Sequence, residues 1–189
     1  MSLVIKATDF AAFKHRDQRR KDAGASPYIN HPIALANLLC NEAGITDPIV
    51  ICAALLHDTI EDTETTPEEL QAQFGRAIAL VVMAVTDDKT LPKAERKRLQ
   101  IVHARTASRR ARFVKLADKI CDLRDIAADP PTSWSLRRKR QYFDWAAKVI
   151  EGVRGTHRKL ERIFDDACSR ARLRPQTRAG NCDHSRARS

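Results

Sequence analysis

Aromatic residues make up only 5% of this 189-residue chain, and glycine occurs just six times. That scarcity argues against a β-sandwich, whose strands and turns draw on aromatic residues and glycine. It points instead to helices packed by Leu, Ile, Val and Ala. Five cysteines show no CxxC pair and no zinc-finger spacing, so neither a disulfide framework nor a structural zinc site is expected. An odd thiol count fits a reducing compartment. Cys40, Cys52 and Cys121 sit among apolar residues and read as small core fillers. No apolar run reaches membrane-spanning length. The opening MSLVIKATDFAAFKHRD lacks the apolar core and small-residue cleavage site of a signal peptide. No membrane partner is expected, and the expected location is cytoplasmic.

Charge is plentiful and lopsided, at a formal +10. Six Arg against one Asp between Ser169 and Ser189 carry about half of that surplus, in a stretch with no apolar periodicity. The expected organisation is one domain over residues 1–172, followed by a disordered basic tail over residues 173–189. The remaining excess suits phosphate-rich small molecules as well as a polymer.

A helix is expected from about Val4 to His15, then a basic, turn-rich loop HRDQRRKDAGASPY, then a helix opening at His31-Pro32 and running through Leu39. Asp47-Pro48 starts a buried helix expected to continue through IVICAALLHDTIED. Thr66-Pro67-Glu68-Glu69 forms a helix-start signal, Gly75 a break, and RAIALVVMAV a further helix. PKAERKRLQIVHART reads as a solvated helix. ARFVKLADKICDLRDIA follows, with Val114, Ala117, Ile120, Cys121 and Leu123 on its apolar side. Pro130-Pro131 ends it, Ser133 caps a helix from Trp134 to about Gly152, and a last helix spans roughly Thr156 to Ala171. The fold class is all-α.

The chemistry concentrates in His57-Asp58-Thr59-Ile60-Glu61-Asp62, directly after the apolar ICAALL. On one continuous helix His57 would lie beneath Glu61 and Asp58 beneath Asp62. Carboxylates at the end of a buried helix need compensation, which a bound cation supplies. A bare His-Asp dipeptide arises by chance in roughly one such chain in three. Here it is joined by His31 in Asn30-His31-Pro32 and by Asp118 in Lys115-Leu116-Ala117-Asp118-Lys119. Two imidazoles and two carboxylates suit Mn²⁺, Fe²⁺, Co²⁺ or Zn²⁺, with open positions for water and phosphate.

The segments HRDQRRKDAGASPYINHP, AALLHDTIEDT, VTDDKTLPKAERKRLQ and VKLADKICDLRD, in this order, closely resemble the small alarmone hydrolases. These are free-standing relatives of the hydrolase half of RelA/SpoT enzymes. The resemblance runs from about Ala7 to Ala171. It implies a compact multi-helix HD-domain phosphohydrolase fold, one Mn²⁺ ion, and removal of the 3′-pyrophosphate from ppGpp or pppGpp to give GDP or GTP. Carried over motif by motif, it implies His31, His57, Asp58 and Asp118 as metal ligands and Glu61 and Asp62 as the catalytic acidic pair. It further implies Arg20, Lys21, Lys93, Lys97 and Arg98 as cations for the phosphates, with Tyr28 placed to stack on or hydrogen-bond the nucleotide.

One position departs from the family pattern. Asp122 stands four residues after Asp118, where the family usually has Asn. An ionised Asp only accepts hydrogen bonds, so it would weaken polyphosphate binding or move preference to another nucleotide, unless Arg124 or Lys119 neutralises it. Two other readings follow: an HD phosphohydrolase on another nucleotide, such as the 2′-phosphate of NADPH, and a basic nucleic-acid-binding protein. The second has few aromatics to stack on bases and no reading helix, so no specific nucleic-acid partner is expected. A homodimer stays open.

Overall fold

The computed structural model describes residues 1–173. The expected tail after Leu173 lies outside the described residues. Ten α-helices and one π-helical turn account for the regular structure described, and the only β pairing among these residues is an isolated bridge between Arg19 and Pro27. The all-α expectation therefore holds.

Helix α1 (Ser2–Lys14) buries Ala7 and Ala11 and ends at His15. The following loop folds back on itself. Arg20 N–H donates to Ser26 O at 2.9 Å and Tyr28 N–H to Gln18 O at 3.1 Å, while Asp22 accepts from Ser26 N–H at 2.9 Å. Helix α2 (Asn30–Asn37) carries His31 in its first turn and runs on into a π-helical turn over Leu38–Glu42, which the sequence pattern did not signal.

Helix α3 (Pro48–Leu56) has the start read from the sequence: Asp47 accepts from Ile49 N–H at 2.9 Å, and Pro48 opens the first turn. Every residue from Val50 to Leu56 is buried, each large aliphatic contributing about 1.5–3 kcal/mol by leaving water. The helix does not continue through Asp62 as expected. It stops before His57, and a separate turn, α4 (Thr59–Asp62), follows. Side chains compete for the carbonyls here. His57 Nδ1–H donates to Ala54 O at 2.8 Å and the Thr59 hydroxyl to Leu56 O at 2.7 Å. Asp58 adopts φ −99°, ψ 0° between the two helices.

Helices α5 (Pro67–Phe74) and α6 (Arg76–Met83) meet at Gly75, whose φ of +84° explains the break. Helix α7 (Lys93–Ala104) lies over the site. Helix α8 (Arg109–Ala128) is about 30 Å long and buries eleven residues, Lys115 and Lys119 among them. Helix α9 (Leu136–Glu151) starts at Ser135, whose hydroxyl accepts from Arg138 N–H, rather than at Ser133; Trp134 precedes it. Helix α10 (Arg158–Leu173) packs along α8. Helices α3 and α8 form the centre, with α1, α2 and α6 against α3, and α2, α9 and α10 against α8. The C-terminal end of α3 meets the middle of α8, which brings the His57–Asp58 break to Asp118.

Candidate metal centre and active site

Ligand-capable atoms of His31, His57 and Asp118 all lie within 4.8 Å of one another. His31 Nε2 is 3.3 Å and His57 Nε2 4.0 Å from Asp118 Oδ1. Because His57 Nδ1–H is committed to Ala54 O, the Nε2 lone pair faces the pocket, the tautomer a metal ligand needs. That Nε2 is buried and has no hydrogen-bond partner, although Asp58 Oδ2 is only 2.9 Å away. Two groups so close share a cation, either a proton on the imidazole or a metal ion that replaces it. Burial works against a charged imidazole there, yet Asp58 and Asp118 outweigh it and push the His57 pKa up to about 9. The residues present thus fit a divalent ion. Asp58, next to His57 but not within the compact trio, accepts a short hydrogen bond from the Tyr28 hydroxyl.

Asp118 is half-buried, and loss of water alone would raise its pKa, but the Lys119 ammonium at 2.7 Å and the two histidines hold it well below the usual carboxylate range. Glu61 behaves oppositely. Burial, reinforced by Asp58, Asp87 and Asp62, raises it to about 7, even though Asp87 N–H donates to Glu61 Oε2 at 3.1 Å. A carboxyl poised near neutrality beside a metal site suits proton transfer. Asp62 accepts from Gln18 Nε2 at 2.9 Å and pairs closely with Lys89. A cavity of about 200 Å³ joins these groups, with Lys115, Gln100 and Asp87 in its wall.

A neighbouring cleft of about 470 Å³ opens from it between the first loop, α8 and the start of α9. Arg20, Lys21, Tyr28 and Asp122 line this cleft as expected, together with Trp134 and Tyr142. Arg20 is tied to Asp125 at 2.5 Å. Lys93 has its pKa lowered by burial and by the like charges of Arg138, Lys21 and Arg96, so these four cations converge. Lys97 lies 4.5 Å from the Trp145 ring centre and 5.5 Å from that of Tyr142. Arg98 is not brought to the site. It is 61% exposed and bidentate to Glu95 on the outer face of α7. At helical spacing the inward positions are Lys93, Arg96, Lys97 and Gln100, and Arg96 reaches to 3.6 Å from Glu61.

The HD domain family matches residues 7–143. The guanosine-3′,5′-bis(diphosphate) 3′-pyrophosphohydrolase MESH1 of Homo sapiens is 56% identical over 158 residues, spanning 84% of this chain and 88% of that protein. The chain belongs to the MESH1 family of HD-domain proteins. The MESH1 protein of Drosophila melanogaster is 49% identical over 162 residues, spanning 86% of this chain and 90% of that one. A solved metazoan ortholog of SpoT that hydrolyzes ppGpp superposes with a TM-score of 0.86 at 47% identity, covering 88% of this chain and 94% of the other.

In this MESH1-family domain the neutralisation expected at Asp122 divides. Arg124 turns away to a bidentate pair with Glu42, at 2.7 and 2.8 Å. Lys119 is 3.8 Å from Asp122, and the Tyr142 hydroxyl donates to it. Burial and Asp118 raise the Asp122 pKa. Sequence reasoning missed Gln18, Lys89, Arg96, Trp134, Arg138 and Tyr142. The i, i+3, i+4 spacing of Lys93, Arg96 and Lys97 was the one available signal, and it favoured Arg96 over Arg98. No helix among the described residues is long and apolar enough to cross a membrane.

Proposed function

We propose that this protein hydrolyses the 3′-pyrophosphate of ppGpp and pppGpp, giving GDP or GTP and pyrophosphate, with one Mn²⁺ held by His31, His57, Asp58 and Asp118. The observation that carries the reading is the buried His57 Nε2, 2.9 Å from Asp58 Oδ2 and 4.0 Å from Asp118 Oδ1, one turn before a carboxyl raised to about 7. The shared family with the MESH1 hydrolases supports the substrate.

When bound, the ion supplies Lewis acidity that draws charge from a phosphate oxygen and makes a water easier to deprotonate. Glu61 takes the proton of the attacking water. Asp62, one residue on, orients that water from its own side of the cavity. The water's oxygen bonds to the phosphorus next to the ribose, and the phosphorus bond to the ribose 3′ oxygen breaks. That oxygen leaves with a proton. Lys21, Lys93, Lys97, Arg96 and Arg138 bring cations to a substrate crowded with negative charge. Trp134 and Tyr142 line the cleft with aromatic surface for the nucleoside.

One observation favours a second substrate, the 2′-phosphate of NADPH. The cleft wall carries an acceptor, Asp122, where the family usually offers an amide. The deciding experiment incubates metal-stripped protein with ppGpp, restores Mn²⁺, and quantifies GDP and pyrophosphate, with NADPH run alongside. Mn²⁺-dependent GDP release that disappears in Glu61→Gln and His57→Ala supports the reading. Phosphate release from NADPH without GDP release from ppGpp replaces it with the second.

A further inference from the structure

Asp62 is held by two donors of opposite character. On Oδ1 sits Lys89, whose side chain is 48% exposed on the connection before α7. On Oδ2 sits the Gln18 amide, donating from Nε2 at 2.9 Å. Gln18 comes from the start of the first loop, just after α1, and has no role in the reaction as described above.

Three constraints fix that amide. Its Oε1 is 2.6 Å from Nδ1 of His15, a histidine only 2% exposed. An amide oxygen can only accept, so His15 Nδ1 carries the proton. The contact therefore decides which way the amide points. The flipped arrangement would set a carbonyl lone pair against the Asp62 carboxylate and an N–H against an N–H. The backbone pins the residue at both ends: Gln18 N–H donates to His15 O at 3.0 Å, and Gln18 O accepts from Tyr28 N–H at 3.1 Å. The His15 ring also packs on Tyr28, with centroids 4.8 Å apart, and Tyr28 donates to Asp58.

We infer that Gln18, locked by His15, is a positioning residue for the reaction. It holds one oxygen of Asp62 in a fixed direction, so that the other oxygen serves the reacting water once Lys89 turns to a substrate phosphate. The inference rests on the reading of Asp62 as a member of the catalytic pair. A rigid donor on one oxygen and an exposed, exchangeable cation on the other is the arrangement that reading requires. His15 reaches Asp62 through Gln18, and its separate ring contact with Tyr28 is kept by the phenyl ring of His15→Phe.

The test uses the full chain, saturating Mn²⁺ and ppGpp, with kcat, KM, bound manganese and thermal unfolding measured for each variant. Gln18→Leu is expected to lower kcat about 10- to 100-fold, the scale of a misplaced reacting group, with KM and bound manganese unchanged within about twofold. Gln18→Glu has the same shape and still accepts from His15, but offers Asp62 no donor. It is expected to lose as much kcat and so repeats the test without a packing defect. His15→Phe is expected to cost about 3- to 10-fold in kcat alone and nothing more in the Gln18→Leu background, the non-additivity of two groups in one chain. His15→Asn, which keeps an N–H donor, is expected to restore most of that loss. Wild-type kcat in both Gln18 variants, with Asp62→Asn inactive, overturns the inference and leaves the Asp62 reading standing. Wild-type turnover by Asp62→Asn overturns both.

Discussion

The two sides of the site solve opposite electrostatic problems. Around His57 and Asp118 the groups are wholly or partly buried and answer one another: Asp118 has Lys119 at 2.7 Å, Asp58 has Tyr28, and Asp62 has Gln18 and Lys89. At and beside the cleft, Lys21, Lys93, Lys97 and Arg138 make no ion pair with a carboxylate among the described residues, and Lys97 and Arg138 rest on aromatic rings instead. The difference teaches which charges the fold satisfies by itself and which it leaves for a ligand. Burying an unpaired charge costs so much that the inner side must be compensated. The half-exposed cations outside are screened by water, cost little, and wait for phosphate.

The largest expected effect would break the inner side outright. His57→Ala should abolish manganese binding and lower turnover by about 1,000-fold or more, read by elemental analysis and by GDP release. The cleft should survive, so nucleotide binding is retained in calorimetry. Loss of the nucleotide too would mean the two sides are one unit.

Glu61→Gln should lower kcat by about 100- to 10,000-fold while stabilising the metal-free protein. Its folded pKa is raised from 4.5 to about 7, so the fold prefers the protonated form. The stability linked to this group is fully present below pH 4.5 and is lost as pH rises through 7. The neutral glutamine escapes that loss. After allowance for partial solvent screening the gain is about 1–2 kcal/mol at pH 8 and near zero at pH 4, measurable by urea unfolding at the two pH values. Equal stability of the two proteins at pH 8 would show that Glu61 is not strained by its surroundings.

On the outer side, Lys97→Ala should raise KM about 10-fold, the equivalent of 1.4 kcal/mol, with kcat within about threefold and a shallower dependence of KM on salt. A kcat loss of the same size would move Lys97 to the inner group. Asp122→Asn sits on the boundary. Removing an acceptor beside the phosphates should tighten ppGpp about three- to tenfold, scored as KM against that for NADPH. Smallest of all, Arg98→Ala should leave both constants within about twofold, because it breaks only an exposed pair on the solvent face of α7.

The sequence by itself determined whatever depends on near neighbours. The Asp47-Pro48 and Thr66-Pro67 starts, the turn at Gly75, the apolar run of α3 and the ordered motifs around His31, His57 and Asp118 were all legible, because caps, glycine and periodicity act within about a turn of chain. Tertiary structure decided the rest. The helix stops at His57 because His57 and Thr59 bond back to carbonyls, a competition that the strongly apolar run before them did not betray. Arg96 faces Glu61 and Arg98 faces water because α9 covers one side of α7. Arg20 meets Asp125 from 105 residues away, and Gln18 meets Asp62 from 44. A short polar side chain reaches only a few ångströms, so what it touches is set by which helices pack together, and no local pattern records that.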